Sequence, residues 1–379
     1  MSAHRIARPI ALSLLAFVGI SHPREGEWNT QRAKLVAGTT ATASQISIAS
    51  GMATRDDITL ADGTIEADVN APVGPGFAGF AFRVANTADY EIIYFVADSS
   101  RWGGLQYQPV FEGEPTWQLY PGDGFLGDIP ESQSARNQPL HVKIVFAGTR
   151  ADVYVNHSTT AVLRIPELKR DRKAGIVGVW VAPVASNVTY SNYTATSRVD
   201  LPLASIAAAP AMSGQIMRWR VSNRLPSPDT IVAPRALSSE QLRAVNEGIV
   251  ANAETDGLVN LSRIVGNPAG PQIENVLGGA GWGLALASVT LNANSDHTAG
   301  LQFNYSDGIS VFLNGKRVFD GTRPYASADL GRIMGTDSSV ELPLKRGANK
   351  LVLAVTDHAW GWGFRARLVD AAGATTAVP

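Results

Sequence analysis

Three carboxylates, one guanidinium and a strip of aromatics and amides are the groups in this 379-residue chain whose types and spacing could act on a ligand. Glu66 and Asp68 stand two apart in DGTIEADV (62–69), and Arg83 and Glu91 flank the turn of FAGFAFRVANTADYEIIYF (77–95). In an extended chain, residues two apart share a face. Alternation in the hairpin therefore places Phe80, Phe82, Val84, Tyr90, Ile92 and Tyr94 on a core side, and Gly79, Ala81, Arg83 and Glu91 on the other. A turn centred near Ala88 sets Arg83 opposite Glu91 as a cross-strand charge pair. Taken with Thr64, the cluster of Glu66, Asp68, Arg83 and Glu91 would orient a hydroxyl-rich ligand, or act as a proton-transfer set in which Arg83 tunes Glu66, Asp68 and Glu91. The plain alternative is a solvated sheet face whose charges neutralise each other.

A second group lies between 102 and 120. Trp102, Gln106, Tyr107, Gln108, Trp117, Gln118 and Tyr120 mix rings with amides, the combination that satisfies both the apolar ring face of a sugar and its hydroxyls. A strand must also send alternate residues inward, so about half of these aromatics are equally expected in a core. His141 and His157 have no partner at metal-ligand spacing and read as surface or turn histidines, so no metal site is expected. No cofactor is expected either; a structural calcium would have to draw on Asp307, Asp320 and Asp329, which are scattered among loops without a binding-loop motif. Trp360 and Trp362 share a strand face, and a core role fits them better than a binding platform. No Gly-rich phosphate cradle, nucleophile elbow or H-E-x-x-H motif is present.

The elements that must position these groups are short β-runs. SQISIAS (44–50), DITLADGTIEADV (57–69), the hairpin, LQYQPVF (105–111), TWQLY (116–120), HVKIVFAG (141–148), RADVYVN (150–156), AVLRI (161–165), GIVGVWV (175–181) and VTYSNYTA (188–195) follow one another with turn signals between. This spacing, without an intervening amphipathic helix, predicts an antiparallel sandwich over 40–198. Residues 199–211 lose the alternation and gain Ala and Pro, as a linker does. A second series, from GQIMRWRVSN (214–223) to GFRARLVD (363–370), predicts another sandwich over 212–371. Its one helix is expected within 238–252, capped by Ser238 or Ser239. The fold class is thus all-β: two β-sandwich (jelly-roll) domains joined by a linker, with one short helix.

Thirty-two basic and thirty-three acidic residues leave a net charge of −1, so no polyanion is held by bulk electrostatics and nucleic acid is not an expected partner. Residues 1–21 place His4, Arg5 and Arg8 before an apolar run and end in Gly19-Ile20-Ser21, the pattern of a cleaved signal peptide. The mature protein is therefore expected to be secreted or periplasmic, without membrane insertion after cleavage. The absence of cysteine excludes disulfides, thiolate catalysis and Cys-based metal sites.

The segments DGTIEADV, GFAGFAFRV (76–84), ADYEIIYF (88–95), LQYQPVFEGEPTWQLY (105–120), HVKIVFAGTRADVYVN (141–156) and KAGIVGVW (173–180) carry a resemblance to the concanavalin-A-like lectin/glucanase superfamily. Within it they resemble the 3-keto-disaccharide hydrolase-like domains related to family-sixteen glycoside hydrolases. The match runs in order over about 140 residues and implies a lectin-like sandwich. Family-sixteen hydrolases set two or three carboxylates on one strand as E-x-D-x-E or E-x-D-x-x-E, because retaining hydrolysis needs two carboxyls about 5–5.5 Å apart. Here Glu66-Ala67-Asp68-Val69-Asn70-Ala71 lacks the third. DGISVFLNGKRVFDG (307–321), LPLKRGANKLVLAVTD (342–357) and WGWGFRARL (360–368) look like the galactose-binding-type jelly rolls appended to secreted glycan enzymes. The resemblances imply a carbohydrate-binding, lectin-like protein whose partner is a glycan or glycoside. A glycoside or 3-keto-glycoside hydrolase and an adhesion or scaffolding module remain as alternatives.

Overall fold

The computed structural model describes residues 25–71, 76–97, 101–136, 138–182, 187–199, 203, 212–227, 231–266, 283–358, 360–371 and 373–378. The expected signal segment 1–21 lies outside these residues, as does nearly all of 199–211.

The chain folds into antiparallel sandwiches because its strands carry apolar residues at every second position. In the N-terminal one, the strands Leu163–Ile165, Arg150–Val155, Leu140–Ala147, Gly63–Asn70 and Val188–Thr196 follow one another across a first layer. The long strand Ile46–Leu60 joins that layer through Ile46, Ser47 and Ile48, then pairs from Gly51 onward with Gly175–Val181 of the second layer. Gly51 makes the crossing possible: its φ is +89°, and a Cβ there would meet the Arg32 carbonyl at 2.1 Å. The second layer continues through Gly76–Asn86, Asp89–Ala97 and Trp102–Phe111. Between the layers lie Ile65, Ala67, Phe80, Phe82, Phe95, Val142, Phe146, Val179 and Tyr190, the large ones contributing roughly 1.5–3 kcal/mol each on burial.

The C-terminal sandwich sets Gly283–Ala293, Gly347–Asp357, Gly308–Leu313 and Lys316–Thr322 against Gly363–Val369, His297–Ser306 and Ser338–Leu344, over a core with Trp219, Phe303, Leu353, Trp362 and Phe364. Asn314 and Gly315, both at positive φ, form the Asn-Gly turn of a hairpin. The expected helix is shorter than its sequence window. It runs Ser239–Asn246 behind a Ser238 capping box, and the rest of the window forms the strand Ile249–Asn252. A second short helix spans Leu261–Val265, and TWQLY, expected as a strand, forms a 3-10 turn over Trp117–Leu119.

The sandwiches meet through polar groups that are buried and paired. The Tyr120 hydroxyl donates to Glu254 at 2.6 Å and accepts from Asn260 at 3.0 Å, while Lys169 Nζ lies 2.8 Å from Glu254. Burial pushes the Glu254 carboxyl up, against the pull of Lys169. Gln118 donates to the Leu330 carbonyl and receives the Ile333 amide. Leu119, Tyr120, Leu258 and Ile333 form an apolar cluster beside them. Removing one member of such a network leaves its partners buried and unpaired. Tyr120→Phe is therefore expected to lower stability by about 1–3 kcal/mol, read as a fall in the thermal unfolding midpoint.

Candidate functional site

The structure separates the carboxylates that alternation placed on one face. Glu66 and Asp68 are partly exposed on the outer face of the first layer, beneath which Ile65, Ala67 and Val69 enter the core. Glu91 is instead inside the sandwich, with no exposed surface. The register explains this. Phe82 pairs with Glu91 and Ala81 with Ile92, so Glu91 shares the inward face of Phe82, while Tyr90, Ile92 and Tyr94 point outward. Arg83, at φ +48° in the register shift between Phe82 and Asn86, also turns inward: its guanidinium lies 5.6 Å from the Phe146 ring and 3.8 Å from Glu91 Oε1. The expected charge pair thus exists as a buried neighbour pair. Arg83 spends its hydrogen bonds on the Ala61 and Gly148 carbonyls.

Desolvation raises the Glu91 carboxyl to about 8, with Arg83 and Arg170 opposing the rise. The folded protein therefore holds a proton here that the unfolded chain releases near its ordinary carboxylate value, so this residue's contribution favours folding at low pH and is lost as pH rises through about 8. Glu91→Gln is expected to flatten the fall in stability between about pH 4.5 and 8, as measured by urea denaturation at a series of pH values.

The aromatic and amide strip divides in the same way. Trp102 and Tyr107 belong to the core, where Arg136 covers Trp102 and the Lys169 amide donates to the Tyr107 hydroxyl. Gln118 and Tyr120 are consumed by the seam. Gln106, Gln108 and Trp117 do line a cavity of 480 Å³ on the outer face of the second layer, within the size range of small-molecule sites. Its floor is Phe77, Tyr90, Ile92, Tyr94 and Trp180. Gln106 is fixed by the Tyr94 hydroxyl at 2.9 Å and by the Trp117 carbonyl at 2.8 Å.

The opposite wall comes from the C-terminal sandwich. Tyr325, Leu330, Arg332 and Trp360 close over the floor. Ring centroids of Trp117 and Trp360 lie 5.9 Å apart, and those of Tyr325 and Trp360 4.4 Å apart. The loop bearing Tyr325 and Arg332 is held by the Arg323–Asp329 ion pair and by Ser327, which donates to Asp329 at 2.6 Å and accepts the Gly331 amide. Trp362 is fully buried in the core while Trp360 faces the cavity, so the two do not form a shared platform. Trp360 and Gly361, at φ +60° and +93°, make the turn that separates them, and a Cβ on Gly361 would meet Thr116 at 2.8 Å. Arg332 is the one charged residue among the described residues lining the cavity; it lies 5.3 Å from the Trp117 ring centroid, and its Nε has no hydrogen-bond partner. No carboxylate lines the cavity among the described residues. Only Trp117, Gln106 and Gln108 carried a local signal for it. Tyr94 read as core by alternation, and Tyr325, Arg332 and Trp360 lie more than 200 residues from Trp117 in sequence.

The scattered aspartates are engaged elsewhere. Asp329 pairs with Arg323, Asp320 lies 3.6 Å from Arg317, and Asp307 accepts from Ser306 and the His358 amide.

No family model matches the sequence, and no curated protein matches it. Solved structures match part of the chain. A carbohydrate-binding module, CBM66, from Bacillus subtilis is 14% identical, covering 44% of this chain and 94% of that one at a TM-score of 0.31. A β-glucanase from Bacillus licheniformis is 13% identical, over 47% and 95% at 0.31. A protein with a galectin-like fold from Bacillus subtilis is 12% identical, over 46% and 91% at 0.32. Similarity this low transfers no activity and no site.

Proposed function

We propose that this chain is an exported carbohydrate-binding protein whose glycan or glycoside lies in the aromatic cavity between the two sandwiches. The observation that carries this reading is the lining. Trp117, Trp360, Tyr325 and Tyr94 offer ring faces, and Gln106, Gln108 and Arg332 offer polar groups at the same surface. Sugars present an apolar face ringed by hydroxyls, so stacking supplies contact area while a few placed amides fix orientation. Gln106 is held by two hydrogen bonds before any ligand arrives, which lowers the ordering cost of binding.

Binding is supported over hydrolysis by the position of the acids. Glycosidic cleavage by the usual route needs two carboxyls on either side of the scissile bond. Glu66 and Asp68 are on the other layer's outer face, and Glu91 is in the interior.

The test is affinity electrophoresis and glycan-array binding of the wild type beside Trp117→Ala, Trp360→Ala and their combination. Losing one stacking ring is expected to cost about 0.5–1.5 kcal/mol beyond lost area, a weakening of roughly threefold to tenfold or more. Glu66→Gln is expected to bind as the wild type does. Absence of any glycan binding by the wild type, or equal binding by the double variant, would overturn the proposal.

A further inference from the structure

On the far side of the N-terminal sandwich, Glu66, His141 and His157 bring one ligand atom each to within 4.8 Å of one another. They come from three places in the chain. Glu66 lies on Gly63–Asn70, His141 lies on the neighbouring strand Leu140–Ala147, where it pairs with Asp68, and His157 stands in the turn after Arg150–Val155. The two imidazoles stack, with ring centroids 3.7 Å apart and planes at 24°.

The hydrogen bonding around His141 shows how its ring is held. Its Nδ1 is 2.6 Å from Asp68 Oδ1, and Asp68 Oδ2 accepts from Asn192 at 2.6 Å. Asp68 thus fixes the ring from its Nδ1 side and turns Nε2 toward Glu66 Oε1, 2.9 Å away. An imidazole nitrogen and a carboxylate oxygen so placed are a pair of ligand atoms for one divalent ion.

The second imidazole supplies a third ligand atom. His157 follows Asn156, and both residues have positive φ, 49° and 60°, in a two-residue turn closed by Ser158 N to the Val155 carbonyl at 2.9 Å. Gly is the residue that such a turn favours at its second position. A histidine there carries a steric cost, and its ring is laid over His141. That position brings a second imidazole to His141 and Glu66. Two imidazoles and one carboxylate, with a carboxylate orienting one imidazole from behind, are the donor set of an open divalent zinc-type site. Lys143 Nζ, 3.6 Å from Glu66 Oε2, neutralises the other carboxylate oxygen.

We infer that Glu66, His141 and His157 form a binding site for a divalent transition-metal ion of the zinc type, with Asp68 as the residue that positions His141. The site lies on the layer opposite the aromatic cavity and is independent of the glycan-binding proposal.

The test is calorimetric titration of the full mature chain, freed of any purification tag and treated with EDTA, with zinc chloride at pH 7.5. One equivalent is expected to bind. His157→Ala, in an exposed turn, is expected to keep the metal-free unfolding midpoint and to weaken binding at least about tenfold, and Asp68→Asn to weaken it about 10–100-fold. Nitrogen-15 spectra are expected to show a zinc-dependent shift at the ring nitrogens of His141 and His157. Substoichiometric binding by the wild type, unchanged affinity in His157→Ala, or His141 and His157 rings unmoved by zinc would overturn the inference.

Discussion

The requirement that buried polar groups be paired governs the way this protein is assembled. Tyr120, Glu254, Lys169 and Asn260 are largely or wholly withdrawn from water where the sandwiches meet, and each satisfies another. A looser contact would leave them hydrated; a dry contact without their partners would cost more than the apolar cluster of Leu119, Leu258 and Ile333 contributes. The seam therefore closes in one arrangement. That arrangement sets Trp360, Tyr325 and Arg332 over Trp117 and Gln106, so the cavity is a consequence of the docking.

The second layer of the N-terminal sandwich is apolar on both faces, and this shapes the rest. Phe80, Phe82 and Phe95 look into the core, while Tyr90, Ile92, Tyr94 and Trp180 look outward into the cavity. A sheet with one wet face gives clean alternation of polar and apolar residues; a sheet covered on both faces does not. Glu91 is the exception that alternation misread. It sits on the core side beside Arg83, where burial keeps it protonated at neutral pH. The first layer keeps a wet outer face, and there Glu66, Asp68, His141 and Lys143 stand partly exposed.

Much of the architecture was legible along the chain. Turn signals and period-two runs marked nearly every strand, Ser238 marked the helix start, and Asn314-Gly315 marked a hairpin. Boundaries were less legible. Ile46–Leu60 is one strand where two were expected, because Gly51 lets it pass between layers without a break in pairing. TWQLY has strand-like composition and yet forms a 3-10 turn, since its side chains are claimed by the seam rather than by a ladder.

By itself the sequence determined that this is an all-β chain of two sandwiches with an aromatic and amide-rich segment near 102–120, because composition and local periodicity are properties of neighbours along the backbone. Which face of each strand is buried was decided by tertiary structure, since alternation defines two faces without naming the one that meets the core. Glu91 went inward through a shift in register at Arg83, and Trp117 found its aromatic partners in another sandwich. His141 and His157 met each other, and Glu66, only across paired strands. Contacts of that kind join residues that are distant in the chain, and nothing in their spacing records them.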